Sequence, residues 1–185
     1  MKVTPTGFIK LMGDMEHYLF RSQVRSLLSA FVAITLMMFV LLRSLRLGAF
    51  SMIPNLVPIL LGLSFMAVAG IALDPGTVMI GSIALGLVVD DTVHFLVRLR
   101  RNVDRHALED AIAATMKQTG RPIVVTSIAL GAGFAVMGLG SFTPNVAFGI
   151  VSAIVVILAM LADLVMLPAA LLVLQPKVAQ SSLRA

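Results

Sequence analysis

Charge is scarce in this chain: Asp, Glu, Lys and Arg make up 12% of its 185 residues, where soluble globular domains carry about 25%. With the chain's high apolar content, that makes a water-soluble enzyme unexpected. Cysteine is absent, so there are no disulfides and no thiolate metal sites, and cysteine usage says nothing about redox compartment. The chain also lacks a phosphate-binding glycine loop, any metal-ligand spacing and any Ser/His/Asp arrangement. ATP is therefore not its visible energy source, and neither a cofactor, a metal nor enzymatic activity is expected. Low-complexity segments and internal repeats are missing too.

What the chain has in abundance is apolar surface. Hydrophobic residues account for 59% of it and the mean hydropathy is +1.03. They arrive in blocks of roughly 20 residues, each about the length that crosses a ~30 Å hydrocarbon core at ~1.5 Å rise per helical residue. Five such blocks fall at residues 27–42, 50–73, 77–97, 122–139 and 146–174. An all-α polytopic membrane protein with five transmembrane helices is the expectation. Before the first block, residues 8–25 mix Lys10, Asp14, Glu16, His17, Arg21 and Arg25 with apolar residues at helical spacing, which predicts an amphipathic helix lying at the interface. It lacks the form of a cleaved secretory signal. Between the third and fourth blocks, Asp104 is placed to cap a cytoplasmic surface helix over 104–119, whose apolar face is Leu108, Ala111, Ile112, Thr115 and Met116 and which ends at Gly120.

The net charge of +5 has a topological explanation. Arg43 and Arg46 lie in the first linker, Arg98, Arg100, Arg101, Arg105, Lys117 and Arg121 in the third, and Lys177 and Arg184 in the tail, while the other two linkers have no basic residue. These three segments share one side of an alternating chain, so the positive-inside rule puts them, with the C-terminus, in the cytoplasm. Nucleic acid is not needed to account for the charge. Membrane lipids are the expected surroundings.

The chemical centre is the third block, TVMIGSIALGLVVDDTVHFLV, which holds Asp90, Asp91 and His94 among valine, leucine, isoleucine and glycine. A charged aspartate at membrane depth costs at least ~2.5–3.5 kcal/mol, so such residues face a bundle interior or a water-filled path. Successive helical side chains diverge by ~100°, so the two aspartates address different neighbours, whereas Asp90 and His94, at i and i+4, share a face. Low dielectric and a neighbouring carboxylate both disfavour the ionised form of a carboxyl, which suits a group that loads and releases protons. Asp90 and Asp91 are thus the expected proton relay, and a buried carboxylate of purely structural purpose is the alternative. His94, Thr126, Ser127 and Asp163 are the candidates for its support. Asn55, between Pro54 and Pro58, reads mainly as the mark of a helix kink. Ser82, Gly86, Gly131, Ala132, Gly133 and Ala135 read as small residues for close helix packing. An intramembrane aspartyl hydrolase needs acids on opposing helices, and adjacent residues on one helix do not provide that.

These residues also carry a family resemblance. The runs RSLRLGAFSMIPNLVPILL, ALDPGTVMIGSIALGLVVDDTVHFLVRLRR, TGRPIVVTSIALGAGFAVMGLGSFTP and ADLVMLPAALLVL resemble the C-terminal half of a bacterial exporter of the resistance-nodulation-division (RND) superfamily, closest to its MMPL-like, sterol-sensing-domain-related branch. The resemblance covers residues 7–174, and GLVVDDTVHF is its most specific piece. It implies export of lipids or hydrophobic compounds by proton antiport in the bacterial inner membrane. It matches the family's proton-carrying acids to Asp90 and Asp91 and a relay hydroxyl to Thr126 or Ser127. Residues 1–25 would end an extracytoplasmic domain, 26–174 would form the five-helix transmembrane domain, and 175–185 a cytoplasmic tail. The missing N-terminal half, or a homologous half, would be the partner, and the chain would be a fragment or one part of a split permease. A non-transporting lipid or sterol-sensing module, or an inactive transporter fragment, is the alternative.

Overall fold

The computed structural model describes residues 7–42, 45–71 and 75–173. Among these residues the chain is entirely helical: α1 (Phe8–Leu42), α2 (Leu45–Val68), α3 (Pro75–Val103), α4 (Leu108–Met137), α5 (Thr143–Leu161), a π-helical turn at Ala162–Met166, and α6 (Leu167–Val173), which continues α5 through that turn. Five helices, counting α5 to α6 as one, are long and apolar enough to cross a membrane. The expected tail at 175–185, together with residues 1–6, Arg43, Leu73, Asp74 and Leu174, lies outside the described residues.

Two expected surface helices do not exist as separate elements. The amphipathic segment 8–25 and the first block form one helix of 35 residues. No proline or glycine pair interrupts them, and helix propagation is cheap once a turn exists. Similarly, 104–119 does not stop at Gly120: α4 begins at Leu108 and runs unbroken through Gly120 and Pro122 to Met137. Asp104 lies in the turn before it, and the residue at the cap position is Ala107, with no side-chain cap. At 30 residues α4 is ~45 Å long, more than a ~30 Å core requires, so its first turns extend beyond one.

Side-chain contacts fix the direction of each helix. Gln23 Nε2 donates to Ser82 Oγ at 2.5 Å, and Arg100 Nη1 donates to the Leu41 carbonyl at 2.8 Å. Both pairs are 59 residues apart, so α1 and α3 run parallel in one register over ~27 Å, and Arg100 donates to a carbonyl in the last turn of α1. The chain reverses between them at the end of α2, where Gly70 adopts φ +66°. There Ile71 N donates to Met66 O at 3.0 Å and Gly70 N to Ala67 O at 3.4 Å. That is the Schellman pattern, and Ile71 packs with Met66 beneath it.

The close approaches use other glycines than Gly86 and Gly133, which face open space. A Cβ at Gly62 on α2 would overlap the Val155 side chain on α5, and one at Gly149 on α5 would lie 2.6 Å from the Phe134 carbonyl and 2.7 Å from Met137 Cβ on α4. Of the small residues expected to pack, Gly131 does so, against Ile157. Small size at the point of crossing decides which glycine matters, and that depends on helix rotation.

Two apolar clusters form the core. One gathers Met38, Leu42, Met52, Phe95, Leu96, Leu99, Val103, Leu108 and Leu167, and the other Ile59, Met66, Ile80, Leu85, Val89, Val151 and Val155. Outside the bundle, Leu28, Val32, Leu36 and Val40 form an exposed apolar stripe at i, i+4 spacing along α1. Gly149→Ala is expected to destabilise the α4–α5 hairpin by about 1–3 kcal/mol through overpacking, while Gly133→Ala changes stability by no more than about 0.5 kcal/mol. Unfolding of both variants in detergent micelles measures the difference.

Candidate functional site

Between the two apolar clusters lies a polar layer. In α2, Asn55 sits between Met52 of one cluster and Ile59 of the other; in α3, Thr92 sits between Phe95 and Val89; in the last helix, Asp163 sits between Leu167 and Val155. All three are fully buried. Thr92 Oγ1 is 2.6 Å from Asn55 Oδ1 and 2.5 Å from Asp163 Oδ1, so one hydroxyl joins α2, α3 and the last helix. The Asn55 amide nitrogen donates to the Ser51 carbonyl at 3.2 Å. Asp163 Oδ2 has no hydrogen-bond partner.

Local sequence explains why these groups are available. Pro54 and Pro58 each remove a backbone donor from α2, loosening the turn on which Asn55 sits. Asp163 lies in the π turn Ala162–Met166, closed by an i to i−5 bond from Leu167 N to Ala162 O. Pro168, just beyond it, has no N–H to return to the preceding turn. A single π turn inside an α-helix is a recurrent feature of functional sites.

The acids of α3 occupy different surroundings. Asp90 and His94 are 72% and 74% exposed in their side chains, and His94 Nε2 lies 3.6 Å from Asp90 Oδ1, the shared face that i, i+4 spacing requires. They do not face the bundle interior. Instead they line a groove of about 670 Å³ between α3 and α4, with Asp91, Arg98, Thr126 and Gln118 also on its walls. Asp91, about 100° further round the helix, reaches from the groove into the α3–α4 contact, where it is half-buried and hydrogen-bonds Ser127 of α4. Behind it is a void of about 20 Å³ bounded by Asp91, Ser127, Val88, Val156 and Ala159, room for one water. Thr126 lines the groove, but its hydroxyl lies 3.0 and 3.1 Å from two carbonyls of its own helix, Pro122 O and Ile123 O, and its one hydrogen is turned to them. Such back-bonding is the usual fate of helix threonines.

The expected site residues thus divide. Asp90 and His94 pair outside the bundle, Asp91 and Ser127 pair inside the α3–α4 contact, and Asp163 joins a separate buried cluster, with Asp91 close enough for its charge to reach it. Asn55 is a hydrogen-bonding member of that cluster as well as a neighbour of two prolines. Thr92 went unmarked: it follows DD in the sequence, and its one distinguishing signal is that, at i+1 from Asp91, it points to yet another face. No group of three or more His, Cys, Asp or Glu able to hold a metal occurs among the described residues.

No protein-family model matches this chain, and no curated protein matches it.

Asn55→Ala, which removes one of the two close partners of the Thr92 hydroxyl and opens a void, is expected to cost about 2–4 kcal/mol. Ser64→Ala removes an exposed hydroxyl bonded to its own helix at Leu60 O and should cost no more than about 0.5 kcal/mol. Reversible unfolding in micelles distinguishes them.

Proposed function

We propose that this chain is the transmembrane portion of a proton-motive-force-driven exporter of lipids or hydrophobic compounds, of the resistance-nodulation-division type, in which Asp90 and Asp91 carry the proton. The supporting observation is the position of Asp90 and His94, an exposed ionisable pair midway along a helix of membrane-spanning length. Facing lipid, such a group costs at least ~2.5–3.5 kcal/mol, so this face belongs against a second bundle or against water. A homologous half is the partner with the right chemistry, since a pseudo-symmetric bundle would bring its own acidic helix to the same seam.

In this reading the groove admits a proton to Asp90, and Asp91 with Ser127 lies one residue further in, at the α3–α4 contact. Protonation removes charge from the seam and changes which packing of the two bundles is favoured. Binding of a proton shifts the equilibrium by the difference in its affinity for the two arrangements, and rocking of one bundle against the other exposes the substrate path to alternate sides. The basic residues at the α3–α4 turn, Arg98, Arg100, Arg101 and Arg105, support an orientation with that end in the cytoplasm. The inner membrane of a bacterium is the proposed location. Selection of the lipid or hydrophobic substrate is assigned to parts of the assembly outside this bundle.

In the intact transport assembly, Asp90→Asn and Asp91→Asn are each expected to lower pH-gradient-driven substrate efflux at least about tenfold, equivalent to ~1.4 kcal/mol. Asp110→Asn, an exposed acid in the first turn of α4, should leave it unchanged. Efflux from proteoliposomes under an imposed gradient is the measurement, and wild-type efflux in both relay variants would reject the proposal.

A further inference from the structure

The Thr92 hydroxyl has more close oxygen neighbours than hydrogens to give them. A threonine hydroxyl has one hydrogen to donate, yet Thr92 Oγ1 has Asn55 Oδ1 at 2.6 Å and Asp163 Oδ1 at 2.5 Å, besides the more distant carbonyl of Val88 in its own helix at 3.4 Å. If the carboxyl were ionised, both neighbours would be acceptors only, and one O···O pair at hydrogen-bond distance would have no hydrogen between its atoms. Turning the Asn55 amide over does not help. Its nitrogen already donates to Ser51 O at 3.2 Å, and the reversed amide would set Oδ1 against that carbonyl.

We propose that Asp163 is a proton-binding site: the carboxyl holds a hydrogen ion and donates it to Thr92 Oγ1, Thr92 donates to Asn55 Oδ1, and Asn55 donates to Ser51 O. In that direction every close contact has its hydrogen. The chain of bonds runs from the π turn through α3 to α2, and the bound proton is what fastens the three together. A neutral acid also accounts for the surroundings. Asp163 is fully buried between two apolar clusters, its Oδ2 has no donor, and no cation is among its hydrogen-bond partners. An ionised carboxylate there would be an uncompensated buried charge, whereas a neutral one needs only the single bond it makes.

The charge of Asp91 reaches Asp163. The one-water void behind Asp91 is bounded by Val88 and Ala159, each one helical turn from Thr92 and Asp163 respectively. Ser152 and Asp163, which hold the two buried side-chain atoms without partners among the described residues, lie on the same face of the last helix as Val156 and Ala159 of that void. A proton released from Asp163 therefore has a water-sized space about one helical turn away, and its departure would leave the single Thr92 hydrogen to serve either Asp163 or Asn55, so that one of the two links is lost.

This inference goes beyond the transport reading and does not depend on it, because it concerns the state of one carboxyl and is tested without substrate. Infrared difference spectra of the purified chain in lipid bilayers at neutral pH, wild type against Asp163→Asn, should show the C=O stretch of a protonated carboxyl in the wild type alone. Thr92→Val, which deletes the acceptor, should move that band to higher wavenumber, and Thr92→Ser should restore it. Asp163→Asn, whose amide still donates to Thr92, should unfold within a few degrees of wild type, and Asp163→Ala well below it. Absence of a protonated-carboxyl band that Asp163→Asn removes, or a band indifferent to Thr92→Val, would overturn the proposal. So would a carboxylate stretch assigned to Asp163 at the same pH.

Discussion

A polar side chain taken out of water must find a partner inside, and the single hydroxyl of Thr92 is the partner on which the centre of this bundle depends. Without it, Asn55 and Asp163 would bring unmatched amide and carboxyl oxygens into an interior otherwise made of leucine, valine, isoleucine and methionine. With it, α2, α3 and the last helix are joined at one point, midway between two apolar clusters. Apolar packing alone leaves lipid-embedded helices free to slide or rotate, because lipid tails are as apolar as the contacts they would replace. A hydrogen-bonded point in the middle sets both rotation and register.

The remaining geometry fits around that point. Parallel α1 and α3, joined at Gln23–Ser82 and Arg100–Leu41, make a rigid pair, and glycines at 62 and 149 let the last helix close against α2 and α4. Prolines at 54, 58 and 168 interrupt backbone hydrogen bonding near the two side chains that meet Thr92. Local weakness in the helices and polar contact between them thus occur at the same level of the bundle. Weakened helix beside a bonded polar group is where a change in one proton is felt most, since the freed backbone groups accommodate a shift that a regular helix would resist.

The acids of α3 show how one sequence motif serves two environments. Asp90 and Asp91 are neighbours in the chain, yet one meets His94 in an open groove and the other meets Ser127 inside a helix contact. The ~100° between successive helical side chains makes that separation unavoidable. It was legible without a structure, as was the pairing of Asp90 with His94. That Asp90 would lie outside the bundle was not legible, because which face of a helix is covered depends on its neighbours. Thr92 escaped notice for a related reason: threonine is common in apolar helices, and only the convergence of an amide and a carboxyl on its hydroxyl marks it out.

The number of long apolar helices, the scarcity of charge and the concentration of arginine around the α3–α4 turn were all legible in the sequence, because hydropathy over 20 residues is a local property. So was the presence of acids within an apolar helix. Whether an amphipathic stretch continues into its neighbour or breaks from it was decided by the absence of a competing cap or breaker, and here α1 and α4 run on as single helices. Tertiary structure alone decided which glycines touch and which acid is sealed away. It alone brought Asn55, Thr92 and Asp163 together from positions 37 and 71 residues apart. Those outcomes depend on the rotation of each helix about its axis, which is set when several helices pack at once.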